Sequence, residues 1–321
     1  MKTLQELQTL IQKELNTINF PIEPKNLYDP IKYVLDIGGK RMRPILTLMA
    51  HQLFNSDIEK SVKAAVAIEI FHNFTLLHDD IMDDAPLRRG VKTVHEKWDK
   101  NSAILSGDTM LVQSYDLLMS VEDTYLREVL NTFNKAAKEV CEGQQWDMDF
   151  ENREDVSILE YLKMIEYKTS VLLAASLKIG AINGGATKEE SNHIYEFGKN
   201  MGIAFQLKDD LLDAYGDPGN FGKQLGGDII ANKKTYLYLK ALELADEEQK
   251  LKLIHYFSNN FQSDQKVESV KKIFNNLDIA LHTNILMKEY HKKAISHLDS
   301  INSDAKKPLY TFSELLLERI S

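Results

Sequence analysis

Apolar residues recur along most of this chain at the three- and four-residue spacing that is typical of amphipathic helices. The first such segment runs from Leu4 to Leu15, and the helical pattern resumes from Ile31 after a polar stretch that contains prolines. Further helices are predicted over residues 45–53, 61–85, 102–120, 126–142, 158–182, 189–215, 233–245, 290–301 and 309–320. Strand-like alternation is nearly absent, and residues 246–276 are polar and uninformative. The pattern predicts an all-α protein, and the lack of a long linker predicts a single domain over residues 1–321.

The predicted helix over residues 61–85 ends in a cluster of acidic residues, within the sequence FHNFTLLHDDIMDDAPLRRG at 71–90. Asp79, Asp80 and Asp83 share one flank of this helix, because residues four apart differ by only about 40° around the axis. Carboxylates at this spacing repel one another, and near a helix C-terminus they also oppose the helix dipole. A bound cation would reverse both effects, so the cluster is a candidate cation site.

A second acidic cluster, formed by Asp209, Asp210 and Asp213, occurs in the sequence FQLKDDLLD. One cluster alone could be a solvated surface, but two in one chain favour a function. Neither cluster has the ligand pattern of a calcium-binding EF-hand, and no histidine pair accompanies them as a zinc site would require. Mg²⁺ is held by one or two carboxylates together with water and substrate phosphate. We therefore predict that two acidic helices hold a diphosphate through Mg²⁺.

A basic turn, GGKRMRP at residues 38–44, precedes the predicted helix over 45–53. Glycines permit a tight turn, and the backbone N–H groups of a helix start attract anions together with basic side chains. The turn is either an anion site or a solvated basic loop, and it lacks the spacing of a nucleotide-binding P-loop. A second basic pair, Arg88 and Arg89, follows the first acidic cluster in a loop that ends at Gly90.

Composition limits the classes of function. The formal net charge of −9 argues against a nucleic-acid-binding protein, which needs a basic surface for phosphate contacts. The single cysteine, Cys141, excludes an internal disulfide and is compatible with a reducing compartment. Polar residues interrupt any signal-peptide core near the N-terminus, and no apolar run approaches the length of a membrane span. We therefore expect a cytoplasmic protein.

Five motifs, in this order, give the chain a family resemblance: GGKRMRP, HDDIMDDAPLRRG, YKTSVL, FQLKDDLLD and GGDIIANKKTYL. From Gly38 to Tyr236 the chain resembles the trans-isoprenyl diphosphate synthases, or polyprenyl synthetases. The resemblance implies an isoprenoid synthase fold, a large helical bundle around a central cavity, and a homodimer. It also implies a transferase that joins isopentenyl diphosphate head to tail to an allylic diphosphate, with about three Mg²⁺ ions per active site.

The resemblance also assigns roles to the acidic residues and to two polar residues near the reaction. Mg²⁺ would be bound by Asp79, Asp83 and Asp209, with catalytic support from Asp80, Asp210 and Asp213. Thr169 and Gln206 would lie beside the reacting carbon atoms. One position departs from the family pattern, because the residue after the first DDxxD motif is Asp84 where asparagine is common. Its carboxylate could contact metal-bound water or face solvent.

The two diphosphates would be held by separate sets of residues under the same resemblance. The allylic diphosphate would be held by Arg88, Lys168, Lys223 and Lys233. Isopentenyl diphosphate would be held by Lys40, Arg43, His72 and Arg89. His72 also has a simpler interpretation as a hydrogen-bonded histidine of the core.

Product length should depend on a bulky side chain that stops the growing prenyl chain along the helix. Relative to Asp79, helical geometry places Thr75 about 40° and Phe71 about 80° away, which nominates Phe71 behind a small Thr75. Family resemblance instead nominates Phe74, five residues before the motif. The pattern favours geranylgeranyl diphosphate as the product, with farnesyl diphosphate as the alternative.

Two other functions fit part of the sequence. A terpene cyclase of related helical fold would need no second diphosphate site, and its second metal motif normally mixes other residue types. A non-catalytic subunit of a heteromeric prenyl synthase would be expected to lose metal ligands. The repeated DDxxD motif and the basic turn favour a catalytic prenyl synthase over both.

Overall fold

The computed structural model describes residues 2–216, 225–258, 261 and 265–318. The chain forms two compact units. The first unit comprises Met1–Lys135, Ala175–Tyr195 and Ile301–Lys306, and the second comprises Ala136–Ala174, Glu196–Ser300 and Lys307–Ser321. The single domain expected over residues 1–321 stays a prediction.

Helices account for nearly all of the regular structure, as predicted for an all-α protein. In chain order they are α1 Leu4–Thr17, α2 Lys25–Asp36, α3 Met42–Gln52, α4 Glu59–Met82, α5 Val94–Lys97, α6 Lys100–Leu118, α7 Asp123–Glu151, α8 Ile158–Ile165, α9 Val171–Asn183, α10 Lys188–Tyr215, α11 Gly227–Ile230, α12 Tyr236–Leu244, α13 Glu247–Tyr256, α14 Lys266–Asn276, α15 Ile279–Asp299 and α16 Lys307–Glu318. A π-helical turn, Glu166–Ser170, links α8 to α9, and a 3₁₀ turn, Asp304–Lys306, precedes α16.

The residues after α4 differ from the sequence prediction. The helix ends at Met82, and Asp83 is its C-cap, whereas the hydrophobic pattern had predicted continuation to Ala85. Ala85 precedes Pro86, whose ring disfavours helical geometry in the residue before it. A small antiparallel hairpin follows, with strands β1 Leu87–Arg88 and β2 Val91–Lys92. Sequence analysis missed this hairpin because its two-residue strands are too short to show alternation.

Other differences lie in the polar part of the chain. The uninformative stretch 246–276 contains α13 and α14, and α15 begins at Ile279 rather than near residue 290. Helix α13 begins with a capping box in which Asp246 and Gln249 satisfy each other's backbone N–H groups. Leu253 of α13, Phe274 of α14 and Ile279 of α15 are buried in the core of the second unit, which stabilises these segments as helices. Within the described part of the chain, no helix is both long enough and apolar enough to cross a lipid bilayer.

In the first unit, α4 is buried along most of its length and packs against α3 and α6. Close approach to α6 depends on Gly107, because a Cβ atom there would lie 2.3 Å from His78 Nε2. In the second unit, apolar residues of α8, α10 and α12–α15 form a continuous core. Each unit thus supports one of the two acidic clusters on a well-packed helix.

Candidate active site

In the acidic cluster of α4, Asp80 is held by hydrogen bonds from Arg88. Asp80 is 5% exposed and accepts hydrogen bonds from Arg88 Nε at 2.9 and 2.8 Å and from Arg88 Nη2 at 2.6 Å. Arg88 Nη2 also lies 3.8 Å from Asp79 Oδ2. Burial lowers the pKa of Arg88, but the bond to Asp80 and its charge outweigh burial and raise this pKa overall. Asp80 therefore orients Arg88, which suits the supporting role expected of it.

Asp84, the residue after the first DDxxD motif, was expected either to contact metal-bound water or to face solvent. Asp84 adopts a left-handed backbone conformation, and its side chain is 76% exposed. It accepts a hydrogen bond from Lys100 Nζ at 3.0 Å, and this bond lowers the pKa of the carboxyl group. Asp84 thus faces solvent as a surface ion pair.

The basic turn is anchored by a residue that sequence analysis did not identify. Arg41 donates one hydrogen bond to Glu69 Oε1 at 2.6 Å and another to the Leu35 carbonyl at 2.6 Å. Both charged side chains are less than a tenth exposed. A buried, well-paired guanidinium of this kind holds the turn against α4.

Three of the residues expected to bind isopentenyl diphosphate are brought together around this turn. Arg43 Nη1 lies 3.0 Å from His72 Nε2, and Nε2 must accept because a guanidinium only donates. Burial, followed by the charges of Arg43 and Arg89, lowers the pKa of His72 well below its ordinary value. Arg89 packs against the turn itself, since a Cβ atom on Gly39 would lie 2.7 Å from Arg89 Nη1. Lys40 follows Gly39 and is exposed.

This arrangement concentrates positive charge. Burial lowers the pKa of Arg43, and burial together with the charge of Arg88 lowers the pKa of Arg89. Burial therefore disfavours the charge on both arginines, and neighbouring arginines add to this effect at Arg89, so a bound polyanion would stabilise both guanidinium groups. The hydrogen bond between His72 and Arg43 fits both the expected diphosphate site and the simpler interpretation as a hydrogen-bonded core histidine, so the role of His72 stays a prediction.

The second unit contains a cavity of about 290 Å³. Seven residues expected at the active site line it: Lys168, Thr169, Gln206, Asp209, Asp210, Asp213 and Lys233. Sequence analysis missed four further charged residues of the wall, Asp147, Glu151, Asp228 and Lys234. Each of these stands outside a repeated pattern, so spacing could not identify it. Lys223 lies outside the described residues.

Two lysines of the cavity share one carboxylate. Lys168 Nζ lies 2.6 Å from Asp147 Oδ2, and Lys233 Nζ lies 3.9 Å from the same oxygen. Lys234 instead donates to the carbonyls of Phe150 and Glu151 at the end of α7, at 2.8 and 3.2 Å. Asp147 thus orients Lys168, while Lys234 stabilises the helix that carries Asp147.

The π-helical turn determines where Lys168 and Thr169 project. Such turns add one residue to a helical turn and often occur at functional sites. Two glycines allow neighbouring helices to approach it: a Cβ atom on Gly143 would lie 2.2 Å from Lys168 N, and one on Gly202 would lie 2.6 Å from Ser170 Cα. The backbone of the turn is therefore held between α7 and α10.

Replacing Gly143 with alanine is expected to lower the free energy of unfolding by about 2–3 kcal/mol, because backbone must move to admit the methyl group. Without the collision, alanine would stabilise the helix by about 1 kcal/mol. Urea unfolding and steady-state turnover measure the two effects, and turnover should fall as Lys168 is displaced. Cys141→Ala, an exposed change on the same helix, is the control. A Gly143→Ala protein that is as stable and active as the wild type would contradict this account of the turn.

The carboxylates of the second acidic cluster differ in environment. Asp210 is 4% exposed and accepts hydrogen bonds from the Tyr161 hydroxyl and from Gln206 Nε2. Burial, followed by the charge of Asp228, raises the pKa of Asp210 to about 8. Asp213 accepts from the backbone N–H of Asp228 at 3.0 Å and so holds the start of α11. Asp210 and Asp213 therefore each accept hydrogen bonds from protein groups.

The aromatic residues nominated for the end of the product cavity lie together on α4. Phe71 is 1% exposed and packs edge-on against Phe133, with ring centroids 5.0 Å apart. Phe74 is 9% exposed and lies between Phe71 and His78, with centroids 5.5 and 4.8 Å away. The Thr75 hydroxyl donates to the His72 carbonyl. Both phenylalanines are buried, and which of them limits product length stays a prediction.

The donor set suits Mg²⁺, because carboxylate oxygens are the ligands that this hard cation prefers. In the described ranges, no three histidine, cysteine, aspartate or glutamate side chains converge as a complete metal cage. A Mg²⁺ ion that shares its coordination sphere with water and substrate phosphate needs only one or two carboxylates.

Residues 24–276 match the family model described as polyprenyl synthetase. The chain belongs to this family. Over 222 residues, 68% of each chain, it is 44% identical to a geranylgeranyl diphosphate synthase of Methanosarcina mazei. It is 40% identical over 251 residues to a geranylfarnesyl diphosphate synthase of Natronomonas pharaonis, covering 72% of this chain and 73% of the relative.

Similarity to a solved polyprenyl synthetase structure extends over the whole chain. A crystal structure of a geranylgeranyl pyrophosphate synthase is 46% identical, covers 100% of both chains and has a TM-score of 0.95. The isoprenoid synthase fold predicted from the motifs is therefore confirmed.

Proposed function

We propose that this polyprenyl synthetase condenses isopentenyl diphosphate with an allylic diphosphate and releases geranylgeranyl diphosphate. The observation that carries the proposal is the cavity in which Lys168 and Lys233 face carboxylates beside Thr169 and Gln206. The guanidinium and imidazole groups around the basic turn support a separate diphosphate site in the first unit. The names of the similar proteins support a product of about this size. The family resemblance further supports a cytoplasmic homodimer.

We assign Mg²⁺ binding to Asp79 and Asp83 in the first unit and to Asp209 in the second, with about three ions per active site. Bound Mg²⁺ would supply Lewis-acid stabilisation of the negative charge on the departing diphosphate. Asp80 accepts hydrogen bonds from Arg88 and Asp210 accepts one from Tyr161, so we assign these two carboxylates the orientation of neighbouring groups.

The chain's own residues account for the remaining steps. Lys168 and Lys233 stabilise negative charge on the allylic diphosphate as its C–O bond breaks and leaves an allylic cation. The oxygen dipoles of Thr169 and Gln206 face this cation without attacking it. Arg43, His72 and Arg89 hold isopentenyl diphosphate while its double bond attacks the cation to form the new C–C bond. The departing diphosphate takes the proton that the condensed product loses.

The proposal is tested by incubating the purified protein with Mg²⁺, isopentenyl diphosphate and allylic primers of five, ten and fifteen carbons in separate reactions. Chromatography with mass detection of the products should show elongation to twenty carbons, and chelation of Mg²⁺ should abolish it. Hydrocarbon release would indicate a terpene cyclase. A folded protein that elongates no primer would overturn the proposal and favour a non-catalytic subunit.

Replacing Phe74 with alanine is expected to lengthen the product by about one isoprene unit, because one helical turn corresponds to roughly 5 Å of chain. Product sizes are compared with those of Phe71→Ala, which removes the ring behind it. Phe71 is the more buried residue, so its replacement should also destabilise the protein by about 3–5 kcal/mol. If both active variants give products of wild-type length, neither ring limits the product.

A further inference from the structure

A continuous chain of side-chain hydrogen bonds runs from the core of the second unit to the wall of the cavity. The Tyr161 hydroxyl bonds Asp210 Oδ2, and Gln206 Nε2 donates to Asp210 Oδ1 at 3.1 Å. At the other end, Thr169 Oγ1 donates to Gln206 Oε1 at 3.3 Å. All four side chains belong to the cavity wall.

This series of side-chain hydrogen bonds has a defined donor-to-acceptor direction at its cavity end. Gln206 turns its amide nitrogen, which can only donate, toward Asp210 Oδ1 and its oxygen toward Thr169. Asp210 Oδ1 can accept this bond whether or not a proton resides on Oδ2. The Thr169 hydroxyl must then donate to Gln206. The hydroxyl proton of Thr169 therefore points toward Gln206, and the lone pairs of Thr169 Oγ1 face away from Gln206.

Tyr161 is the buried end of this arrangement. Its side chain is 3% exposed and lies on α8. The N-cap of this helix is Ser157, four residues before Tyr161, and Ser157 forms a capping box with Glu160. The same helix leads into the π-helical turn that carries Thr169. Asp210 and Gln206 lie one turn apart on α10. The Tyr161 hydroxyl therefore ties the orientation of groups on α10 to the element that positions Thr169.

We propose that Tyr161 is a positioning residue for the prenyl transfer reaction. Tyr161 sets the direction of the Thr169 hydroxyl dipole through Asp210 and Gln206. This inference rests on the proposed function. With the dipole set, the oxygen of Thr169 presents its negative end to the allylic cation as the C–O bond breaks. Electrostatic stabilisation of this kind is effective because the dipole is oriented before the reaction. Without the tyrosine hydroxyl, Asp210 can rotate and the amide of Gln206 can reverse.

The test is a double-mutant cycle between Tyr161→Phe and Thr169→Val. Tyr161→Phe keeps the buried ring and removes the hydroxyl, and it is expected to lower kcat about tenfold through misorientation alone. KM for both substrates and the Mg²⁺ requirement should stay at their wild-type values, because the residues that hold diphosphate are untouched. Thr169→Val should lower kcat at least as much, and Thr169→Ser should recover most of that loss. The double variant should lose no more than Thr169→Val does, because the two residues act as a unit.

The matched control is Tyr238→Phe, which removes a hydroxyl from another buried tyrosine of the second unit, 6% exposed. It should keep wild-type kcat. If Tyr161→Phe does not fold, Gln206→Leu interrupts the same hydrogen-bond series at a half-buried position and should lower kcat by more than about tenfold with unchanged KM, because it also removes the dipole of Gln206; in the double variant with Thr169→Val the losses should again be less than additive. Wild-type kcat in Tyr161→Phe, a change confined to KM, or additive losses in the double variant would overturn the inference. A wild-type protein without any elongation would instead overturn the proposed function.

Discussion

Replacing Asp79 with alanine is expected to lower kcat for elongation by about 10³-fold, the largest effect predicted for this chain. The carboxylate lies on the partly exposed flank of α4, with its side chain 21% exposed. Asp80 accepts three hydrogen-bond contacts from Arg88, whereas Asp79 lies 3.8 Å from the same guanidinium. Loss of Asp79 would remove a proposed Mg²⁺ ligand, and the departing diphosphate would lose most of its charge stabilisation.

Asp84→Ala is the matched control for this prediction, because it removes a carboxylate from the same motif. Asp84 is a surface residue paired with Lys100, and such pairs contribute little to stability. Its loss should change turnover by less than about twofold. Steady-state assays over a range of Mg²⁺ concentrations make the comparison. Equal activity of the Asp79 and Asp84 variants would remove Asp79 from the set of metal ligands.

Replacing Lys168 with alanine is expected to lower kcat by about 10²-fold to 10³-fold. The Lys168 side chain is 24% exposed and lines the cavity, and its ammonium group is oriented by Asp147 at 2.6 Å. In a partly buried site, a fixed cation stabilises the charge that develops on diphosphate more strongly than in bulk water. Lys233 approaches the same carboxylate at 3.9 Å and should supply part of the residual activity.

Lys163→Ala is the control for the lysine prediction. Lys163 lies on α8, five residues before Lys168, and pairs with Glu166 at 3.0 Å on an exposed surface. Its removal should leave turnover close to the wild-type value. Single-turnover assays with saturating allylic substrate separate the chemical step from substrate binding. A Lys168→Ala enzyme whose single-turnover rate equals that of Lys163→Ala would exclude Lys168 from the chemistry.

Much of the candidate site could be predicted from sequence because its signals are local. Asp79, Asp80 and Asp83 lie within five residues of one another, and the basic turn lies within seven. Local patterns of charge and glycine are sufficient to recognise such groups. The end of α4 and the hairpin after it were predicted poorly, because a turn of a few residues depends on how Arg89 and Gly90 adopt positive φ angles.

Contacts between residues that are far apart in the sequence gave no local pattern of charge or glycine. Tyr161 meets Asp210 across 49 positions of the chain, and Lys168 meets Asp147 across 21. A buried tyrosine and a lone aspartate are ordinary residues of amphipathic helices, so periodicity assigns them to the core or to the surface. Arg41 likewise resembled its basic neighbours until its bond to Glu69 showed that it anchors the turn.

By itself, the sequence determined the helical class, the two acidic clusters, the basic turn and the family resemblance that these motifs carry. These features follow from the order and spacing of side chains along single helices and turns. Only the tertiary structure decided how roles divide within each cluster: Asp80 is bound by Arg88, Asp210 by Tyr161 and Gln206, and Asp213 by a backbone N–H group. Identical carboxylates become different because burial and hydrogen-bond partners are properties of packing, which brings together residues that are far apart in the chain.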